Sequence, residues 1–120
     1  LPVSAIPAFI DEAGPALAAA LPGSRLVCFG HLGDGNLHYN VAAPAGADAP
    51  AFVKASSERA NRLVHDLVHA HRGSISAEHG LGQLKREAIR GHKPPIELEL
   101  MRRLKAALDP NGVMNPGKVL

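Results

Sequence analysis

Two histidines bracket a turn in His31-Leu32-Gly33-Asp34-Gly35-Asn36-Leu37-His38, and imidazoles so spaced can do metal chemistry. A two-residue loop at Asp34-Gly35 pairs Gly33 with Asn36, and a four-residue loop from Gly33 to Asn36 pairs Leu32 with Leu37. Either register puts His31 directly across from His38, with Cβ atoms about 4.5–5.5 Å apart on one face. Two nitrogens at that separation can converge on one ion; the plainer reading is a pair of histidines satisfied by backbone or water at a hairpin end. A third ligand is needed, and Glu78 in Ser76-Ala77-Glu78-His79-Gly80 is the best candidate, although it could equally serve as a surface ion-pair partner or a helix N-terminal carboxylate. A His₂Glu set leaves a coordination position open and suits Zn²⁺ first, while Mn²⁺ or Fe²⁺ tolerates the same ligands. His79, as a neutral imidazole near a cation, is the candidate proton acceptor. Asn40 lies two residues beyond His38 and shares its face. Its amide can meet a substrate carboxylate or simply be a polar strand residue.

Other chemistry-bearing residues read as structural. Asp34 with Gly35 shapes the turn. His65-Asp66-Leu67-Val68-His69 imitates a zinc-protease pattern with Asp for Glu, yet Leu67 and Val68 belong to a core stripe, leaving the two histidines on a wet helix face. His71 and His92 show no partners in the sequence. Cys28 is the only cysteine; it sits in an apolar strand-like run, where a buried inert thiol is expected. An internal disulfide is excluded, and a reducing, cytoplasmic setting is expected. Lys85, Arg86, Arg90, Arg102, Arg103 and Lys105 read as solvated helix faces, and Lys118 as a tail anchor. No phosphate-cradling glycine loop or hydrolytic triad signature is present.

These residues must be positioned by a modest frame. The 120 residues are 46% hydrophobic and 20% charged, with a formal charge of +2, which fits one globular domain. There is no basic block, no Trp, and only one Tyr and three Phe, which argues against nucleic-acid binding. No apolar run reaches the roughly 20 residues of a membrane span, and the first residues do not have a signal-peptide layout. The chain opens on Leu1-Pro2-Val3 rather than Met, so it is expected to be a fragment.

Ser4 is expected to cap a helix reaching Leu21, with Ile6, Phe9, Ile10, Ala13 and Leu17 as its stripe and a kink or break at Gly14-Pro15. Arg25 to Leu32 and Leu37 to Ala43 read as strands. One face carries Val27, Phe29, His31, His38 and Asn40; the other carries Leu26, Cys28, Leu37, Tyr39 and Val41. Both faces are largely apolar, so both should be covered. A helix is expected over Ala51 to Arg72 with Gly73 at its end, a short strand over Ser74 to Ala77, and helices over Leu81 to Arg90 and Pro95 to Leu108. Asp109-Pro110-Asn111-Gly112 stops the last one. This order is α+β: a ferredoxin-like antiparallel sheet with helices packed on one face and C-terminal helices and a tail, its first strand lying before Leu1.

Three stretches carry a family likeness: His31 to Asn40, Gly73-Ser74-Ile75-Ser76-Ala77-Glu78-His79-Gly80-Leu81-Gly82, and Leu108-Asp109-Pro110-Asn111-Gly112-Val113-Met114-Asn115-Pro116-Gly117-Lys118. In this order they resemble the C-terminal part of FAD-linked D-2-hydroxyacid dehydrogenases, the group acting on D-lactate, glycolate and D-2-hydroxyglutarate. The likeness spans nearly all of residues 1–120. It implies that His31, His38 and Glu78 bind a divalent metal beside the flavin, that His79 is the base and that Asn40 contacts substrate. It also implies hydride transfer to FAD with a 2-oxo acid as product, in a larger flavoprotein whose FAD-binding domain lies upstream. The fragment alone is expected to be inactive and prone to self-association through its exposed apolar surface. Two rivals remain: a stand-alone divalent-metal module, and a small zinc hydrolase using the same His₂Glu site.

Overall fold

In the computed structural model, which describes residues 1–76, 78 and 80–120, the stripe Ile6, Phe9, Ala13 and Leu17 is buried along one side of helix α1 (Ile6–Ala20). Ile10 stands at the edge of that stripe, 37% exposed. Ser4 does not cap the helix: it lies in a 3₁₀ turn, Val3–Ala5, and the N-cap is Ala5. The helix also runs unbroken through Pro15, contrary to the expected kink or break. Pro15 is exposed, so the amide it lacks is missing on the solvent side, while buried Ala13 and Leu17 hold the helix by packing.

Residues fall into two compact units, Leu1–Ala77 and Glu78–Leu120. In the first, β1 (Arg25–His31) and β2 (Asn36–Ala42) form a two-stranded antiparallel sheet. Alternation puts Leu37 and Tyr39 on one face, where they pack against the core of Phe9, Ala13 and Val68. Phe9 meets Tyr39 edge-on, with ring centroids 5.7 Å apart. The opposite face was expected to be covered as well, but Val27 and Phe29 on it are 51% and 55% exposed.

Helix α2 (Ala49–Ala70) starts two residues earlier than its apolar stripe indicates, because the Asp48 carboxylate accepts from the Ala51 amide at 3.1 Å and caps it. Its other end is a Schellman motif. The Gly73 amide bonds the Val68 carbonyl at 2.7 Å and the Arg72 amide bonds that of His69 at 2.9 Å. The left-handed position therefore falls on Arg72, with φ 57°, and not on Gly73. Gly73 is needed for another reason: a Cβ there would meet Leu1 Cδ2 at 2.7 Å and Val68 Cγ1 at 2.9 Å. The short strand expected over 74–77 is absent from the described residues 74–76. There the Ser74 hydroxyl donates to the Ser76 carbonyl at 3.0 Å and accepts from the Ser76 amide at 3.2 Å, a local loop that competes with a ladder.

In the second unit, turns over 82–85 replace the first half of the expected 81–90 helix, and α3 (Arg86–His92) follows. Gly82, with φ 59°, is one reason the helix starts late. Helix α4 (Pro95–Leu108) has the expected bounds. Ile89 and Leu98 are buried, whereas Ile96, Leu100, Leu104 and Leu108 line an exposed side of α4. The C-cap Asp109 is buried and accepts from the amides of Val113 (3.0 Å) and Met114 (2.9 Å) and from the Lys105 ammonium. Further along, the Val119 amide bonds the Gly82 carbonyl at 2.8 Å. The α+β class holds, with the order α-β-β-α followed by helices.

Candidate functional site

The hairpin tip sets the geometry of the candidate site. Leu32–Asp34 form one 3₁₀ turn, Gly35 takes the left-handed conformation at φ 73°, and its amide bonds the Leu32 carbonyl at 3.3 Å. Asp34 Oδ1 accepts from the Asn36 amide at 3.1 Å. The loop is thus Leu32 to Gly35, centred one residue earlier than either register read from the sequence. The pairing shifts by two residues. His31 faces Asn36, Gly30 faces Leu37 and His38 faces Phe29, so the expected direct His31–His38 pair is not formed.

A two-residue shift preserves the faces. His31, His38 and Asn40 therefore still share one side of the hairpin with Val27 and Phe29. His31 and His38 are now diagonal neighbours, a relation that typically spans roughly 7–8 Å. The His38 ring lies nearly parallel to Phe29, with centroids 5.0 Å apart and an interplanar angle of 18°. His31 is exposed and His38 half-buried, and Asn36 opposite His31 is 7% exposed. Asn40 is exposed and lies across from Val27.

Two residues of this face, Phe29 and Asn36, were not singled out from the sequence. The alternation already puts Phe29 on the histidine side, but its place against His38 depends on the register. Asn36 reads as a turn residue until the loop is seen to end before it.

Glu78 is exposed and belongs to the second unit. His79 lies outside the described residues. Among the described residues, no group of three His, Cys, Asp or Glu side chains is gathered as a metal site. The two imidazoles on one open face nonetheless have the donor chemistry of a partial ligand set for a divalent cation.

The remaining titratable residues have structural surroundings. His65 is half-buried and His69 exposed on α2. His71 does have partners: Nε2 lies 2.8 Å from Glu12 Oε2, and its ring meets Phe9 edge-on at 5.8 Å. His92 Nδ1 lies 2.7 Å from the Ala88 carbonyl. Cys28 is exposed, not buried, because its strand is one of only two in the sheet. Partial burial still pushes its thiol pKa up, and Tyr39 opposite it is raised by burial and then by Cys28. Arg90 and Arg103 serve helix surfaces as expected, in ion pairs with Glu87 and Glu99 at 2.8 and 2.9 Å. Arg86 departs from the expectation, being half-buried with its Nε out of solvent, and Lys105 is drawn to the buried Asp109 carboxylate.

Residues 1–119 match the model of the family described as FAD linked oxidases, C-terminal domain. The chain belongs to this family. It is 42% identical over 117 residues to a D-2-hydroxyglutarate dehydrogenase of Stutzerimonas stutzeri, covering 98% of this chain and 25% of that protein. A mitochondrial D-2-hydroxyglutarate dehydrogenase of Bos taurus is 43% identical over 111 residues, covering 92% of this chain and 19% of that protein. One from Arabidopsis thaliana is 45% identical over 97 residues, covering 81% and 16%. The chain thus spans about a quarter or less of the length of these relatives. Among the described residues, no helix is long and apolar enough to cross a membrane.

Proposed function

We propose that this chain serves as the C-terminal domain of an FAD-dependent enzyme that oxidises a D-2-hydroxy acid to the 2-oxo acid. The observation that carries this reading is the family match over residues 1–119, joined by relatives whose names specify D-2-hydroxyglutarate. It favours a dehydrogenase over the metal-module and hydrolase alternatives. When bound, FAD accepts a hydride and a divalent cation polarises hydroxyl and carboxylate oxygens. His31 and His38 would hold that cation with Glu78, Zn²⁺ being the first choice and Mn²⁺ or Fe²⁺ the others. Asn40, on the same face as both histidines, would donate its amide to the substrate carboxylate. His79 would take the proton of the 2-hydroxyl as a neutral imidazole, while the hydrogen on the same carbon leaves with its electron pair.

Three quarters or more of each relative named above has no counterpart in these 120 residues, so the isolated chain is expected neither to hold FAD tightly nor to turn over. Its exposed Val27, Phe29 and α4 stripe would also favour self-association. The test is metal analysis of the wild-type chain after zinc loading and dialysis, beside His31→Ala, His38→Ala and Glu78→Ala. Retention of zinc by the wild type and its loss from all three variants is expected. Variants that keep as much zinc as the wild type would remove the proposed ligand set. Dye reduction driven by a D-2-hydroxy acid with the isolated chain would refute its predicted inactivity.

A further inference from the structure

We infer that Phe29 is a positioning residue for His38, holding the imidazole in one plane so that its edge is presented for coordination; this rests on the metal reading proposed above. Phe29 is directly across the ladder from His38, and the two rings stack at 5.0 Å and 18°. Phe29 makes no contribution to the buried core of the first unit, which is built on Phe9: it is 55% exposed, on the face opposite the one that packs against α1 and α2. An aromatic ring held there contributes a flat surface to its neighbour. Stacking engages a face of the imidazole and not its edge. A histidine binds a metal through an in-plane lone pair, so a parallel ring restricts rotation without blocking the donor atom. His31 is paired across the ladder with Asn36, so the aromatic plane belongs to His38 and not to His31.

The test compares Phe29→Leu and Phe29→Tyr with the wild-type chain in two measurements. The first is the proton chemical shift of the His38 ring without metal, which a stacked phenyl moves upfield. The second is affinity for Zn²⁺ alone by calorimetry. Phe29→Leu is expected to abolish the upfield shift and weaken zinc binding on the order of 2- to 10-fold, the equivalent of one aromatic pair. Phe29→Tyr should retain both properties, and because Phe29 is exposed, both variants should fold. An unshifted His38 in the wild type overturns the stacking, whatever the metal result. A lost shift with unchanged zinc affinity in Phe29→Leu overturns the positioning role while leaving the ligand assignment standing. Failure of the wild type to bind zinc overturns the ligand assignment and the positioning role together.

Discussion

Gly30 gives the sharpest test of the hairpin register on which the candidate site depends. A Cβ built there lies 2.0 Å from the Asn36 carbonyl oxygen and 2.9 Å from both Asn36 C and Leu37 Cα. All three are backbone atoms of β2, so no side-chain rotation relieves the overlap. An ordinary carbon–oxygen contact is about 3.3 Å, so the strands must part by roughly 1 Å where Gly30 faces Leu37 and His31 faces Asn36. Overpacking with side chains that can move costs about 1–3 kcal/mol, and loss of a ladder hydrogen bond adds about 1 kcal/mol. Gly30→Ala should therefore destabilise by about 2–4 kcal/mol. With a urea m-value of about 2 kcal/mol/M, the middle of the usual range, the midpoint falls by roughly 1–2 M. Gly33→Ala is the control within the same hairpin, because a Cβ there meets nothing within 4 Å. It should be neutral or stabilise by up to about 1 kcal/mol. Equal midpoints for Gly30→Ala and Gly33→Ala would refute the register, and with it the diagonal placement of His31 and His38.

Two further predictions concern the ends of helices. Arg72 carries the left-handed residue of the α2 terminus, a conformation that costs an L-residue about 1–2 kcal/mol. Arg72→Gly should recover about 0.5–1 kcal/mol after the added unfolded-state entropy, raising Tm by a few degrees, and a lower Tm would contradict the motif. In the second unit, the Lys105 ammonium, helped by the Met114 and Val113 amides, holds the Asp109 carboxyl below the usual range despite its desolvation. Because the folded pKa is the lower one, this stabilisation is fully present above the unfolded value near about 3.9 and is lost as pH falls through the folded pKa. Urea midpoints between pH 6 and 2 should decline more steeply for the wild type than for Asp109→Asn; parallel profiles would show that Asp109 is not the titrating group.

Local signals carried far in some elements and stopped short in others. Pro95 at the start of α4 and Asp109-Pro110-Asn111-Gly112 after it bound that helix unambiguously, because each acts on adjacent backbone. Strand faces were legible from alternation, which survives any even shift in pairing. Register was not, since it turns on one bond, Asp34 to the Asn36 amide, and on which residue takes the left-handed turn. The same bond decided that His38 would meet Phe29. Ser74 and Ser76 spell a plausible strand, yet their hydrogen bonds to each other fold the segment locally. For the site, residue types at His31, His38 and Glu78 indicated a chemistry, and the three ordered motifs indicated the family to which residues 1–119 belong. Convergence of a hairpin with a residue some forty positions later depends on long-range packing, about which local spacing says nothing.

Cys28 sits across from Tyr39, on the side of the hairpin that does not carry His31 and His38, and the residue is exposed although its thiol is partly buried. Since it is the sole sulfhydryl in these 120 residues, a maleimide spin label or fluorophore can be attached at one defined point without engineering. The raised thiol pKa means that attachment proceeds faster in mildly alkaline buffer than at neutrality. A probe there would report strand separation or docking in real time while leaving the imidazole-bearing surface unobstructed.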